Sequence, residues 1–186
     1  MLALVNSAPV LLSDVELAEV AELVPREPGE DDSSHRRAVT EALVALELRW
    51  QDLESAAIVQ RTTVDLDAAW ATVASRAGGE AVLQERLAAV GLSEAALRSL
   101  VRRAAVVQAY VTTRFTPFAR ATPQEVEEYW QRELSPALAA KGTPAPPLEQ
   151  VRAEVEALLR ERKLDAEIAR WTAEIEKRAV VVRYFR

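Results

Sequence analysis

The sequence has no cysteine. That removes disulfides, thiolate zinc sites and thiol nucleophiles at once. A single histidine, His35, leaves no Ser-His-Asp chemistry unless it supplies the base alone. Glycines number five, and none sits in the spaced pattern that cradles a phosphate; Gly78-Gly79 lacks the flanking strand and the further glycines. No apolar run approaches the roughly 20 residues that span a bilayer. Leu2 to Val5 is also too short for the core of a signal peptide and has no basic residues before it. Positive charge is in deficit: the net charge is −6 and the isoelectric point is near 5.0. A phosphate-binding surface carries the opposite sign, so nucleic acid is not expected as a partner.

What remains is ordinary in amount and biased in kind. The 186 residues suit one domain or two very small ones, and 49% hydrophobic with 28% charged residues is globular rather than disordered. Alanine occurs 34 times, and arginine 20 times against 3 lysines. Both favoured residues are strong helix formers, which points to a mainly α fold. A GC-rich genome also yields such an arginine excess without physical cause.

Glycine and proline divide the chain. Pro9 reads as an early turn, Pro25 to Ser34 as an acidic loop, Gly78-Gly79 and Gly91 as breaks, and Pro117 to Pro123 as a connector. Residues 135–147, with Pro136, Gly142, Pro144, Pro146 and Pro147, read as a linker. Helical patterns fill the intervals. Ser13-x-x-Glu16 has the form of a capping box opening a helix to Val24. A helix from about 34 to 60 carries Val39, Leu43, Leu46, Trp50, Leu53 and Ala57 at alternating spacings of four and three. Asp65 can cap the helix holding Trp70 and Val73. Gly91 suits the left-handed end of the helix holding Leu83 and Leu87. Ser93 caps a stripe through Leu97, Leu100, Val101 and Val107 to near Phe115, and Thr122-Pro123-x-Glu125 opens a helix ending near Leu134. The last helix, about 148 to 178, has two apolar faces out of phase. Val151, Val155 and Leu158 lie on one, and Leu164, Ile168, Trp171 and Ile175 on the other. Its halves are expected to bury against different neighbours, or the helix to bend between them.

Two strands are expected at the chain ends, Leu2 to Asn6 and Val180 to Phe185, the second β-branched and aromatic. Either alone leaves a row of unpaired backbone groups, so pairing them satisfies both. The expected architecture is therefore mainly α with a small antiparallel sheet joining the two ends. Residues 1–134 and 148–186 then form one domain around a 135–147 linker.

Candidate functional residues are few. His35 follows Glu30-Asp31-Asp32 and reads as a solvated loop or helix start, since one histidine does not make a metal site. Glu127-Glu128 and the pair Glu154, Glu156 sit at helix spacings that do not face each other, so they read as solvated faces rather than acid-base pairs. Trp50 and Trp171 fall on apolar stripes and read as core. Phe115 and Phe118 flank Pro117 in a connector, and Tyr129 and Trp130 are neighbours on one helix that cannot both enter one core. These four, with Trp70, are the candidates for peptide contact; packing under the connector is their bland alternative. No catalytic residue, metal ligand or cofactor site is read.

The order of these elements resembles the SurA-type chaperones of the bacterial periplasm, parvulin-linked proteins that escort outer-membrane and secreted polypeptides. The resemblance rests on Val5-Asn6 followed by Val10-Leu11-Leu12-Ser13-Asp14-Val15. It continues through Leu87 to Ser93 with Leu97-Arg98, Arg102-Arg103 with Val106 to Phe115, Thr122 to Tyr129, and a last helix with Trp171 before a terminal strand. It covers nearly the whole chain. Such proteins carry one or two isomerase domains of about a hundred residues where this chain has only Ser135 to Pro147. The resemblance thus implies the chaperone module without the isomerase, acting without ATP in the periplasm, with its targeting segment outside this sequence. Met1, the only methionine, stands directly before the first expected strand and fits a leader replaced by a start codon.

The function expected is a non-enzymatic chaperone that binds unfolded or extended polypeptides through an apolar groove, favouring clients that are not strongly acidic. One alternative is a structural or adaptor domain with one fixed partner, or a dimer formed by exchanging the terminal strand and last helix. Another is a member of the isomerase family with no catalytic domain of its own. A monomer or a strand-swapped dimer is expected, with no integral membrane segment.

Overall fold

A computed structural model describes residues 1–184. The chain is mainly α with a small three-stranded antiparallel sheet. It divides into two compact units, one of residues 1–110 with 172–186 and one of residues 111–171. Both crossings fall inside long helices.

In the first unit, β1 (Ala3–Val5) is the central strand, flanked by β2 (Ala8–Val10) and β3 (Val181–Arg183). The two ends of the chain therefore pair as expected, with Leu4 opposite Val182. Phe185, counted in the expected strand, lies outside the described residues. Asn6 fastens this closure. It takes the left-handed conformation (φ 54°) that Asn tolerates, accepts from the Val180 N–H at 2.9 Å and donates to Gln51 at 2.7 Å. β2 was read as a turn because of Pro9; an edge strand tolerates a proline where a central one does not.

α1 (Leu12–Val20) follows β2. Its cap differs from the expected Ser13-x-x-Glu16 box. The helix starts one residue earlier, and the Asp14 carboxylate accepts from the Leu11 N–H at 2.7 Å. α2 (Asp32–Ser55) is capped by Asp31, whose carboxylate accepts from the N–H groups of Ser33 and Ser34. Those bonds, led by the Ser33 hydroxyl, hold the Asp31 carboxyl well below the usual carboxylate range. Val39, Leu43, Trp50 and Leu53 of the expected seam are buried, and so are Val44 and Leu48 beside it. The buried stripe is broader than a coiled-coil seam because α2 packs against both α1 and the sheet. Ala57 has already left the helix and is exposed.

α3 (Leu66–Arg76), α4 (Glu80–Ala89) and α5 (Glu94–Phe115) complete this unit's core. Asp65 caps α3 and Ser93 caps α5, each accepting from the N–H three residues on. Gly91 takes φ 68° just past α4, where a residue with Cβ is strained. Val73, Ala74 and Ala77 pack with Leu83, Leu87 and Leu97.

In the second unit, α5 finishes and a 3₁₀ turn, Thr116–Phe118, leads to α6 (Pro123–Tyr129). The Thr122 box forms as read: the Glu125 carboxylate accepts from the Thr122 N–H at 2.7 Å, and the Thr122 hydroxyl accepts from the Glu125 N–H at 3.2 Å. A π turn, Trp130–Leu134, and α7 (Ser135–Ala140) follow. Half of the expected 135–147 linker is thus helix, since Pro136 sits in the first turn of α7, where its missing N–H is harmless. α8 (Leu148–Glu176) carries Val155 buried in this unit, and its last turn, with Ile175 buried, belongs to the first unit.

Candidate functional site

The first unit holds an apolar groove of about 340 Å³ where β2, the start of α1, α2 and α5 converge. Its floor is Val10, Leu17 and Leu43, all buried. Leu46 of α2 and Leu100 of α5 form half-buried walls, and Pro9 and Leu11 form an exposed lip. Each residue is placed by a local rule already described. The β2 hairpin turns Pro9 outward, the Asp14–Leu11 bond fixes the strand-to-helix corner, and the α2 and α5 stripes each carry one leucine to the margin.

The charged groups around this groove already have partners. Arg103 donates to Glu47 at 2.7 Å, and Glu47 accepts a second bond from Gln51 at 2.8 Å. The Arg103 guanidinium also lies 5.4 Å from the Trp50 ring centroid. Asp14 is held by the Leu11 N–H. The groove therefore offers apolar surface, with a fixed polar rim and no unpartnered charge aimed into it. At this size it sits near the lower end of the about 300–1,000 Å³ usual for binding pockets, room for large apolar side chains rather than a cofactor.

A second apolar surface lies on the sheet. β3 has a neighbour on one side only, so it is an edge strand. Leu4 and Val182, paired across β1 and β3, lie on the outer face with Val180 and Tyr184, and these last three are exposed. An edge with apolar side chains is a template for an added strand.

The sequence-selected residues lie elsewhere. Trp70 is a core residue, 6% exposed, packed in the α3–α4–α5 cluster. Its indole N–H donates to Glu80 at 3.2 Å and Arg98 covers the ring at 4.0 Å, so it offers no free face for a client. The spacing Trp70, Val73, Ala74, Ala77 is the stripe that buries it. Phe115, Phe118, Tyr129 and Trp130 all belong to the second unit. Phe118 is 67% exposed and shares the Arg114 guanidinium with half-buried Phe115, at 5.6 and 5.8 Å. Phe115 also meets Trp171 at 5.6 Å between ring centroids. Tyr129 lies under Arg162 at 4.8 Å, and the Trp130 indole donates to the Pro146 carbonyl at 3.1 Å. The structure thus brings Phe115 and Phe118 together and leaves Trp70 in the other unit.

His35 is a second correction. It begins α2 as read, but it is buried, 6% exposed, with Nδ1 3.2 Å from a Glu30 carboxylate oxygen. The acidic loop folds back over it. Among the described residues no group of three or more His, Asp or Glu is placed to hold a metal ion. No described helix is long and apolar enough to cross a membrane.

Leu46 and Leu100 are the residues that sequence reasoning missed as site residues. Both stand on apolar stripes, and nothing local distinguishes a stripe's margin from its centre. Comparison with protein-family models and with curated proteins finds no match to this chain.

Proposed function

We propose that this chain is a non-enzymatic chaperone that holds unfolded or extended polypeptide, with the groove between β2, α1, α2 and α5 as the primary contact. The observation that carries the reading is that groove: leucine walls and an exposed lip, with every nearby charge already bonded. An apolar side chain of a client gains by leaving water there, at about 25 cal/mol per Å² buried, and the charged groups Asp14, Glu47 and Arg103 keep their partners. Affinity is modest, because an extended client loses conformational entropy on binding.

Polypeptide is favoured over a small apolar molecule because the lip is continuous with a strand. Pro9 and Leu11 flank Val10 of β2, and the opposite edge of the same sheet, β3, is open. One sheet therefore offers side-chain burial near one edge and backbone hydrogen bonds at the other. The acidic surplus sits on the α1 and α2 side of the groove: fourteen acidic against five basic residues lie between Asp14 and Asp67, whereas α5 carries Glu94 against Arg98, Arg102, Arg103 and Arg114. Clients without strong negative charge are preferred on that ground. The resemblance to periplasmic escort proteins agrees with this reading, and on it we propose that the work is done in the cell envelope.

The test is light scattering from two unrelated aggregating clients. The protein at several-fold molar excess is expected to suppress scattering, and Leu100→Asp, at a half-exposed wall, to lose most of that effect while unfolding at a similar temperature. Absence of suppression by the unaltered protein contradicts the proposal. Turnover in a prolyl-peptide isomerisation assay contradicts its non-enzymatic part.

A further inference from the structure

Trp130 stands where the helix changes character. α6 ends at Tyr129, and Trp130 is the first residue of the π turn. Such turns shift side chains out of the ordinary helical register, and they recur at functional positions. The half-buried Trp130 indole has one donor, and it is spent on a single acceptor, the carbonyl of Pro146 at 3.1 Å.

The acceptor lies in an unusual stretch of chain. Residues 143–147 read Thr-Pro-Ala-Pro-Pro. Each proline fixes its own φ near −65°, and each pushes the residue before it into the extended region. Thr143, Ala145 and Pro146 all precede a proline, so residues 143–146 favour extended, polyproline II-like geometry. That conformation has no internal hydrogen bonds, so the carbonyls within it are left for other partners, while the Pro147 carbonyl accepts from the Gln150 N–H at 3.0 Å. An aromatic donor bonded to a carbonyl of a preformed proline-rich strand is a recurring mode of peptide recognition, and it costs little entropy because the strand is ordered before it docks. The neighbouring ring is not available: Arg162 covers Tyr129 and donates to its hydroxyl at 3.4 Å.

We propose that Trp130 is a recognition site for proline-rich, extended peptide, and that residues 143–147 are a tethered occupant of it. A segment joined to its own site by a short chain competes at an effective concentration on the order of millimolar. An external proline-rich segment therefore enters only when it binds more tightly than the tether or arrives in several linked copies. The site lies in the 111–171 unit and shares no residue with the groove, so neither proposal depends on the other.

The experiment uses the full chain and a blocked peptide of the chain's own sequence, Thr-Pro-Ala-Pro-Pro-Leu, with Thr-Ala-Ala-Ala-Ala-Leu as control. Binding is followed at the Trp130 indole N–H resonance, assigned by its loss in Trp130→Phe. Replacing Pro144, Pro146 and Pro147 by glycine is expected to tighten binding of the proline peptide by about tenfold or more over the unaltered protein. Trp130→Phe in that background, followed at the backbone amide resonances of residues 126–147, removes the binding, and the alanine peptide does not bind. A folded glycine variant whose Trp130 signal ignores the proline peptide, or answers both peptides equally, overturns the proposal. Should the glycine variant fail to fold, the unaltered protein titrated to about 10 mM peptide decides, since that exceeds the tether. Movement of the indole signal supports the site, and none overturns it. Client scattering is read on the same samples, so failure here is separate from failure of the chaperone reading.

Discussion

The two units of this chain both carry surface ion pairs and differ in the apolar volume they enclose. The 1–110 and 172–186 unit is built on apolar burial: Leu48, Leu53, Leu83, Leu87 and Leu97 are all fully enclosed. In the 111–171 unit the enclosed apolar side chains among the described residues are small, namely Val111, Ala119, Val126 and Val155. Its large rings are half-exposed or bare, and its contacts include many charged ones. Lys163 bonds Glu125 and the Arg120 carbonyl, Arg162 bonds Glu133 and Tyr129, and Arg114 covers two phenylalanines. Burial is strong and insensitive to salt, whereas exposed ion pairs are weak and screened. The first unit is therefore the one with the larger enclosed apolar volume beneath its groove.

The sharpest way to break this comparison is to delete buried volume in each unit. Leu53→Ala is expected to cost about 2–5 kcal/mol. Val126→Ala, the corresponding deletion in the second unit, should cost about 1.5 kcal/mol, from the two carbons lost. Urea unfolding followed separately by hydrogen exchange in each unit reads both. Equal costs would mean the second unit has a core as confining as the first.

Much of this was legible in the sequence and some was not, for identifiable reasons. Asp65, Ser93, Gly91 and the Thr122–Glu125 box act within one turn of chain, so residue identity alone locates them. The pairing of β1 with β3 followed from the need to satisfy two lone strands. The groove was not legible, since Leu46 and Leu100 become walls only when α2 and α5 meet near β2. The burial of His35 depends on Glu30, five residues earlier on a loop whose path no pattern encodes. The division into units was hidden because both crossings lie within unbroken helices, where no glycine or proline marks them.

A smaller effect is a pH dependence within the second unit. The Lys163 ammonium, with the Thr122 donors, holds the Glu125 carboxyl down to about 2 from an ordinary 4.5. A lowered native value stabilises the fold above the unfolded value, and that contribution is lost as pH falls from about 4.5 towards 2. Lys163→Met should lower the urea midpoint of the second unit at pH 7, and the gap should narrow through that window as Glu125 protonates in both proteins. A gap constant from neutral to acid pH would show that Lys163 acts only through packing or its bond to Arg120. Smallest of all is Arg178→Ala, which removes an exposed pair with Asp52 at 3.0 Å and should cost under about 1 kcal/mol by thermal unfolding.

The account turns on extended polypeptide entering the leucine groove of the first unit. Fluorescence anisotropy of a labelled, permanently unfolded client measures this directly, comparing the unaltered protein with Leu46→Asp. The account predicts saturable binding that weakens about tenfold or more in the variant, as a charge facing the apolar side chain loses its hydration. Undiminished binding by a folded Leu46→Asp protein, or no binding by either, would contradict it.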